Sequence, residues 1–582
     1  MGIKKHLQII AVLLVSLTAK AQQNAAPVNV NSIALTTSEA VYVHFNATSF
    51  VTGETLFYKI YSINPSNSKL SDISKVAYIE LLDSKKNSVF KHKLFLKNGS
   101  AQSDFTIPAN LQTGDYKFVA YTSWMQNKEA ARFFEQPIYV INPYEPTPEA
   151  NLETSMSSGD SAFSTAATNN RTGKSGNLAV LNLDKNSYAQ RSQVLLNIQT
   201  SEAAAGNYSI SVRKKDSLPA PTQVNAEYFS ANLNKTAVNS SNANRTLPEF
   251  RGELISGKIK SNNAEGQIQS VPVALSIPGT EFIFKIVRTN KNGEFFFSVD
   301  KSYQSNNLVV QIVGEKRNDF SIVLNPKKSI DYSEISIANN LKINPKFKSA
   351  LVARSVASQI ENAYFSKKTD SITALKKSVF YDPNSKEYRL DDYTRFPTLK
   401  QTITEVVKEM HYSRNKGKYY FYLKDPIVKN QIDEPAITLV DGILVPNVSD
   451  IIDYNAKEIE KINIIPQGYI YGGTVSGGII SIFTKNGDFS TDKITGNFLV
   501  SKDNAAPEVT KTYFQKSYDT AKTDRTPDFR YQLLWLPDLH LDKTQHKLSF
   551  YTSDVPGIYE ISMEGFTNDG KPIAVTKEFE VK

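Results

Sequence analysis

Few residue constellations in this chain could do covalent or metal chemistry. The six histidines, His6, His44, His92, His411, His540 and His546, are scattered. None has the His-Glu-x-x-His spacing that sets two imidazoles on one helical face around zinc. Gly472-Gly473 and Gly477-Gly478 could free backbone N–H groups to cradle an anion, but a phosphate loop needs Lys and then Ser or Thr after its last glycine, and Ile479 follows instead. A tight hairpin is the expected use of these glycines. Neither Ser256 nor Ser476 lies in a Gly-x-Ser-x-Gly elbow. Glu387, Asp391 and Asp392 could gather a cation, yet Arg389 and Arg395 stand among them and predict an ion-paired surface. No carboxylate pair has a spacing that points to glycoside cleavage. The expectation is therefore no catalytic residue, no cofactor and no metal. Two places stand out as candidate partner contacts. Arg395-Phe396-Pro397 precedes Thr398 and Gln401, a helix-capping pair, and is expected to pin a domain by core packing. In the tail, Arg530 and Trp535 are of the types favoured at interfaces, although a sandwich core uses the same residues.

The elements that must position these residues are mostly strands. A chain of 582 residues is too long for one core, and aromatics at 11% alongside many Val, Ile and Thr favour sheets. Residues 1–21 combine Lys4-Lys5, an apolar run from Leu7 to Leu17 and Ala19-Lys20-Ala21. That pattern reads as a secretory signal peptide, with the mature chain starting at Gln22. Cysteine is absent, so neither disulfides nor a lipidated N-terminal thiol are expected. The net charge of +9 is spread among nearly as many acids, which argues against nucleic acid as partner. No later run approaches the ~20 apolar residues of a membrane span.

From Val30 to Pro143, seven short alternating runs separated by turn residues predict an immunoglobulin-type sandwich over 22–144. Residues 145–177, rich in Ser, Thr, Asn and Ala, read as a polar linker. A second β domain is expected over 178–245, a small β-sandwich over 246–330, an α+β unit over 331–490 and a terminal β-sandwich over 491–582. In the α+β unit, Phe347, Leu351, Val352, Val356, Ile360 and Tyr364 recur at helical spacing, as do Leu399, Ile403, Val406, Val407 and Met410.

Particular residues carry resemblances to known families. Thr52 to Tyr58, Val76 to Asp83 and Thr113 to Met125 resemble macroglobulin-type domains of bacterial envelope proteins. Ser256-Gly257-Lys258, Val271-Pro272-Val273 and Asn292-Gly293-Glu294-Phe295 resemble the carboxypeptidase regulatory-like fold. Asp441-Gly442, Ile459-Glu460, Tyr471-Gly472-Gly473, Gly477-Gly478 and Thr484-Lys485-Asn486-Gly487 are similar, in order and spacing, to the plug of TonB-dependent outer-membrane receptors. About 95 residues follow Gly487, whereas a 22-stranded barrel at ~10 residues per strand needs several hundred, so the plug-like part lacks a pore of its own here. The macroglobulin thioester needs a thiol, which this chain does not have.

This order of domains resembles a group of Bacteroidota envelope proteins. The resemblance implies a mainly β, exported protein of the periplasm or outer membrane, built of tandem immunoglobulin- or macroglobulin-like sandwiches with one plug-like domain. It implies a non-enzymatic scaffold that docks on envelope proteins, an outer-membrane β-barrel among them, with its oligomeric state open. The alternatives are an accessory of TonB-dependent nutrient uptake and, least favoured, a polysaccharide-processing enzyme.

Overall fold

The computed structural model describes residues 38–127, 133–152, 178–233, 246–263, 266–279, 281–364, 369–372, 380–381, 385–424, 434–494, 496–518 and 525–582. The signal-peptide reading, most of the polar linker and most of a second polar run at 231–244 lie outside these residues. Strands dominate, and the protein is mainly β, made of sandwiches and one mixed α+β unit.

Residues 38–142 form the first sandwich. Strands Ala40–Phe45, Thr55–Ile63 and Ser100–Thr106 make one sheet. The facing sheet runs in the order Ser49–Val51, Phe134–Ile141, Gly114–Thr122, Val76–Leu82 and Ser88–Phe95. Between them pack Val43, Phe45, Tyr58, Ile79 and Phe118. Thr52-Gly53 turns the chain at φ +89°, a conformation that glycine adopts without a Cβ clash.

The second sandwich corrects the expectation of two separate domains over 178–245 and 491–582. Gly206–Lys214 lies between Gln532–Leu541 and Gly557–Thr567, antiparallel to both. Gln193–Thr200 pairs with Gln545–Tyr551 on one side and Ala179–Leu183 on the other. Tyr208, Ile210, Tyr559, Ile561 and Met563 share one core. The physical reason is that the few strands of 178–214 cannot cover both faces of a two-layer core. They wait for partners more than 300 residues later, and strand periodicity shows which side of a strand is apolar but not which strand covers it.

The rest is inserted between these halves. Glu253–Ser261 with Glu294–Val299 and Phe320–Leu324 faces a second sheet of Ile283–Arg288, Pro272–Ile277, Asn307–Ile312 and Leu499–Asp503. The last strand therefore belongs to this small sandwich and not to a terminal domain. Between Asn307–Ile312 and Leu499–Asp503 in the chain comes the α+β unit. Its sheet runs Lys386–Arg389, Ile459–Ile465, Ile479–Thr484, Ile437–Val440 and Ile443–Leu444, with Ile437–Val440 parallel to Ile479–Thr484. The helix Leu399–Glu405 starts with the expected Thr398/Gln401 capping box. It ends sooner than the periodicity predicts, because Met410 pairs with Leu423 in a hairpin. Leu275, Phe297 and Val309 of the small sandwich share a core with Ile443, Ile480 and Ile482.

The helix Lys348–Ala363 forms where expected, but only part of the expected apolar stripe turns inward: Phe347 is buried and Leu351 and Ile360 half-buried, while the two valines face out. Arg354, Ser355, Ala357 and Ser358 are buried, while Val352 and Val356 are 52% and 44% exposed. Arg354 causes this orientation. It donates to both carboxylate oxygens of Glu54, to Asp216 Oδ2 and to the Ser49 carbonyl, and turns the polar face inward.

Candidate functional site

The plug-like motif gathers where the α+β unit meets the small sandwich. Asp441 and Gly442 form a turn with φ +49° and +85° after the strand Ile437–Val440. Buried Asp441 accepts from Thr484 N at 2.8 Å, Thr484 Oγ1 at 2.6 Å and Phe489 N at 3.1 Å, which ties this turn to the Thr484-Lys485-Asn486-Gly487 segment. A Cβ on Gly442 would come within 2.3 Å of Phe282 Cβ, so glycine is needed for close approach as well as for φ. Glu460 sits at a bulge between Ile459 and Lys461 and points to solvent. Lys485 donates its N–H to the Glu458 carbonyl at 2.8 Å and exposes its side chain. Gly487 turns at φ +65° in open space.

The glycine-rich segment is a short hairpin, Tyr469–Tyr471 against Thr474–Ser476. Its Gly472 carries φ +55°, and a Cβ there would lie 2.4 Å from the Ile286 carbonyl oxygen. Arg288 Nη2 donates to the Gly473 carbonyl at 2.6 Å. Tyr471 donates to the Phe284 carbonyl at 2.8 Å and stacks on the Phe284 ring. Gly478 lets the chain pass the Ile465 carbonyl, which a Cβ would meet at 2.4 Å. The inward side of the hairpin is thus docked on the small sandwich. Its other side presents Ile470 and Val475, directly paired across the strands and 73% and 61% exposed. Tyr471-Gly472-Gly473 was legible as a motif, but that its reverse side carries an exposed aliphatic pair depends on the pairing register.

The other singled-out residues are held within the fold, Arg395 and Phe396 half-buried and Arg530 and Trp535 buried. Arg395 bonds Asp391 and donates to the carbonyls of Ala456 and Ile459 at 3.0 and 2.6 Å, while Phe396 packs on the shared core. Both pin the α+β unit, as its packing requires. Arg530 and Trp535 are not surface contacts, which corrects that candidate role. Arg530 is clamped by Asp528 through two 2.7 Å bonds and caps the Leu533 and Tyr551 carbonyls. Trp535 is 4% exposed and stacks on Phe57 of the first sandwich. Trp535 fills the seam where the two sandwiches meet, and Arg530 braces the second sandwich from within.

Sequence reasoning missed the buried ionisable clusters at the seams. Glu54 of the first sandwich meets Arg213 of the second and Arg354 of the helix. Burial pushes the Glu54 carboxyl up, but the two guanidinium groups outweigh it and hold it at about 2. Lys93 bonds both oxygens of Glu253 at 2.8 Å, and Tyr303 and Lys327 join the same carboxylate. Burial raises Glu253, and Lys327 with Lys93 brings it down to about 2. Tyr42 reaches Glu564 across the seam between the sandwiches, and Lys59 meets Asp538 at 3.4 Å. Each of these pairs joins residues at least 50 positions apart, and the pairs of Glu54 with Arg213 and Arg354, Lys93 with Glu253, Tyr42 with Glu564 and Lys59 with Asp538 more than 150, separations at which no local spacing signals contact. Among the described residues no group of three or more His, Asp and Glu is placed to hold a metal ion.

No protein-family model and no curated protein sequence matches the chain. Among solved structures it aligns with Salmonella alpha-2-macroglobulin reacted with methylamine, at 9% identity and TM-score 0.24, over 94% of this chain and 39% of that one. It aligns likewise with Escherichia coli alpha-2-macroglobulin activated by porcine elastase, at 8% identity and TM-score 0.23, over 94% and 44%. A beta-glucosidase from Listeria innocua aligns over 18% of this chain and 16% of its own, at 14% identity and TM-score 0.13. The chain spans about two fifths of the length of these macroglobulins. At these TM-scores the description of the fold rests on the strand topology: this is a mainly β protein of consecutive and nested sandwiches. No helix of the described residues is long and apolar enough to cross a membrane.

Proposed function

We propose that this chain is a non-enzymatic scaffold of a bacterial cell envelope, made of macroglobulin-like, regulatory-like and plug-like modules, which docks on other periplasmic or outer-membrane proteins. The observation that carries the reading is the Ile470/Val475 pair. Two aliphatic side chains stand side by side and exposed on a ribbon whose opposite face is locked to the small sandwich by Tyr471, Gly472 and Arg288. A braced ribbon loses little freedom on binding, so its apolar area contributes to affinity with a small ordering cost. The ion-pair clusters support the same reading, since they tie the modules to one another and so help to hold such a ribbon at a defined position.

The partner surface is an envelope protein, a β-barrel among the candidates. Affinity-tagged chain with its native leader is recovered from solubilised envelopes after crosslinking, in parallel with the Ile470→Glu and Val475→Glu variants. The expected result is an envelope protein that co-purifies with the native chain and is lost from both variants. Recovery of the bait alone, or of the same partner with all three, overturns the reading.

A further inference from the structure

Where the two sandwiches meet, Lys59 of the strand Thr55–Ile63 is 2% exposed. Its Nζ donates only to Gln102 Oε1 and Asp538 Oδ1 among the described residues, both at a long 3.4 Å. Lys93, as deeply buried, makes three bonds of 2.7 to 2.8 Å. A buried ammonium so thinly paired carries a desolvation cost that the neutral amine avoids. Burial pulls Lys59 down to about 8 against the attraction of Asp538, so the amine is accessible near neutral pH. A desolvated lysine amine is a nucleophile.

An electrophile is held beside it. Asn207, on the strand Gly206–Lys214 of the second sandwich, donates its Nδ2 to the same Asp538 Oδ1 at 2.9 Å. His540 Nε2 stands 3.5 Å from that oxygen and 3.4 Å from Asn207 Nδ2. Asn207 Oδ1 is shut off from water and has no hydrogen-bond partner, so nothing in the fold uses this amide's carbonyl. Burial pushes the Asp538 carboxyl up, but Lys59, Asn207 and His540 outweigh it, which keeps it ionised and able to accept a proton.

We infer that Lys59 and Asn207 condense into an isopeptide bond, which ties the first sandwich covalently to the second. Nζ gives up two of its three protons, and its lone pair forms a bond to Asn207 Cγ. The Cγ–Nδ2 bond breaks, both protons reach Nδ2 through Asp538, and that nitrogen departs as ammonium. No oxidant or other co-reactant is consumed. The four-carbon stem of lysine lets Nζ close on Cγ, since neither 3.4 Å contact pins it. Half-exposed Asp538 leaves the ammonium a way to solvent. With no cysteine in the chain, no disulfide can make such a tie. The bond lies apart from Ile470 and Val475, and either inference can fail alone.

The full chain, stored folded at neutral pH, is denatured, digested and read by tandem mass spectrometry. The expected product joins the peptide of Lys59 to that of Asn207 and is lighter than their sum by one ammonia. Lys59→Arg keeps the cation without the nucleophile and should abolish it. Asp538→Ala should slow its formation by about 10²-fold or more, the usual share of a general acid–base group. Asp538→Asn, of the same shape, repeats that measurement should alanine disturb the seam, and thermal melts confirm that each variant folds. Unlinked peptides alone from the folded native chain, a link from Lys59 to Gln102 or Asp538 instead, or an undiminished link in both Asp538 variants overturns the inference.

Discussion

Arg354 Nη2 donates to Glu54 Oε2 at 2.7 Å and its Nε to Oε1 at 2.8 Å, a two-pronged bond between residues 300 positions apart. Glu54 belongs to the first sandwich, Arg354 to a helix within the long insertion, and Arg213 of the second sandwich bonds the same carboxylate at 3.1 Å. A planar guanidinium matches two carboxylate oxygens at once, so this cluster sets orientation as well as charge.

Breaking that cluster on one side should cost more than replacing it. Arg354→Ala leaves the largely buried Glu54 carboxylate with one cation fewer, and should destabilise the chain by about 3–5 kcal/mol. Arg354→Met combined with Glu54→Gln should be milder than the sum of the single changes. Denaturant melts of the four chains measure this, and simple additivity would contradict the account.

Acid should loosen the seams. Glu54 and Glu253 are both held at about 2, below the ordinary carboxylate value of 4.5. A depressed carboxyl contributes stability that is fully present above pH 4.5 and is lost as pH falls from there toward 2. Thermal melts between pH 6 and 2.5 should show a steep fall below about 4.5. Glu253→Gln should flatten that limb while lowering stability at neutral pH, and an unchanged slope would count against the assignment.

Gly442→Ala should be far more damaging than an alanine at Gly487. Both have positive φ, but only at Gly442 does a Cβ meet the Phe282 side chain at 2.3 Å, where Gly487 faces open space. The expected loss is about 1 kcal/mol at Gly487 from backbone strain alone, and several times that at Gly442. Melting temperatures of the two variants test the order.

Removing residues 531–582 should unfold the second sandwich instead of trimming a terminal domain. It strips Gln532–Leu541 and Gly557–Thr567 from both sides of Gly206–Lys214 and exposes Tyr208, Ile210 and Val212. The truncated chain is expected to aggregate or to become protease-sensitive near 178–214. Co-expression of the missing piece should restore protection if the pairing is right.

Much of the local structure was legible in the sequence. Alternation over Val76–Leu82, Tyr208–Val212 and Gly557–Met563 marked strands, the last two shorter than the elements Gly206–Lys214 and Gly557–Thr567, and Thr398 with Gln401 marked a helix start, because side-chain period and capping are properties of neighbouring residues. Gly472-Gly473 announced a tight hairpin for the same reason. Only the tertiary structure decided that Gly206–Lys214 pairs with strands near the end of the chain, that Leu499–Asp503 returns to the small sandwich, and that the helix Lys348–Ala363 shows its valines to solvent. Strand periodicity leaves the partner of each apolar face unnamed, and the pull of Glu54 and Asp216 on Arg354 acts between residues that no local pattern connects.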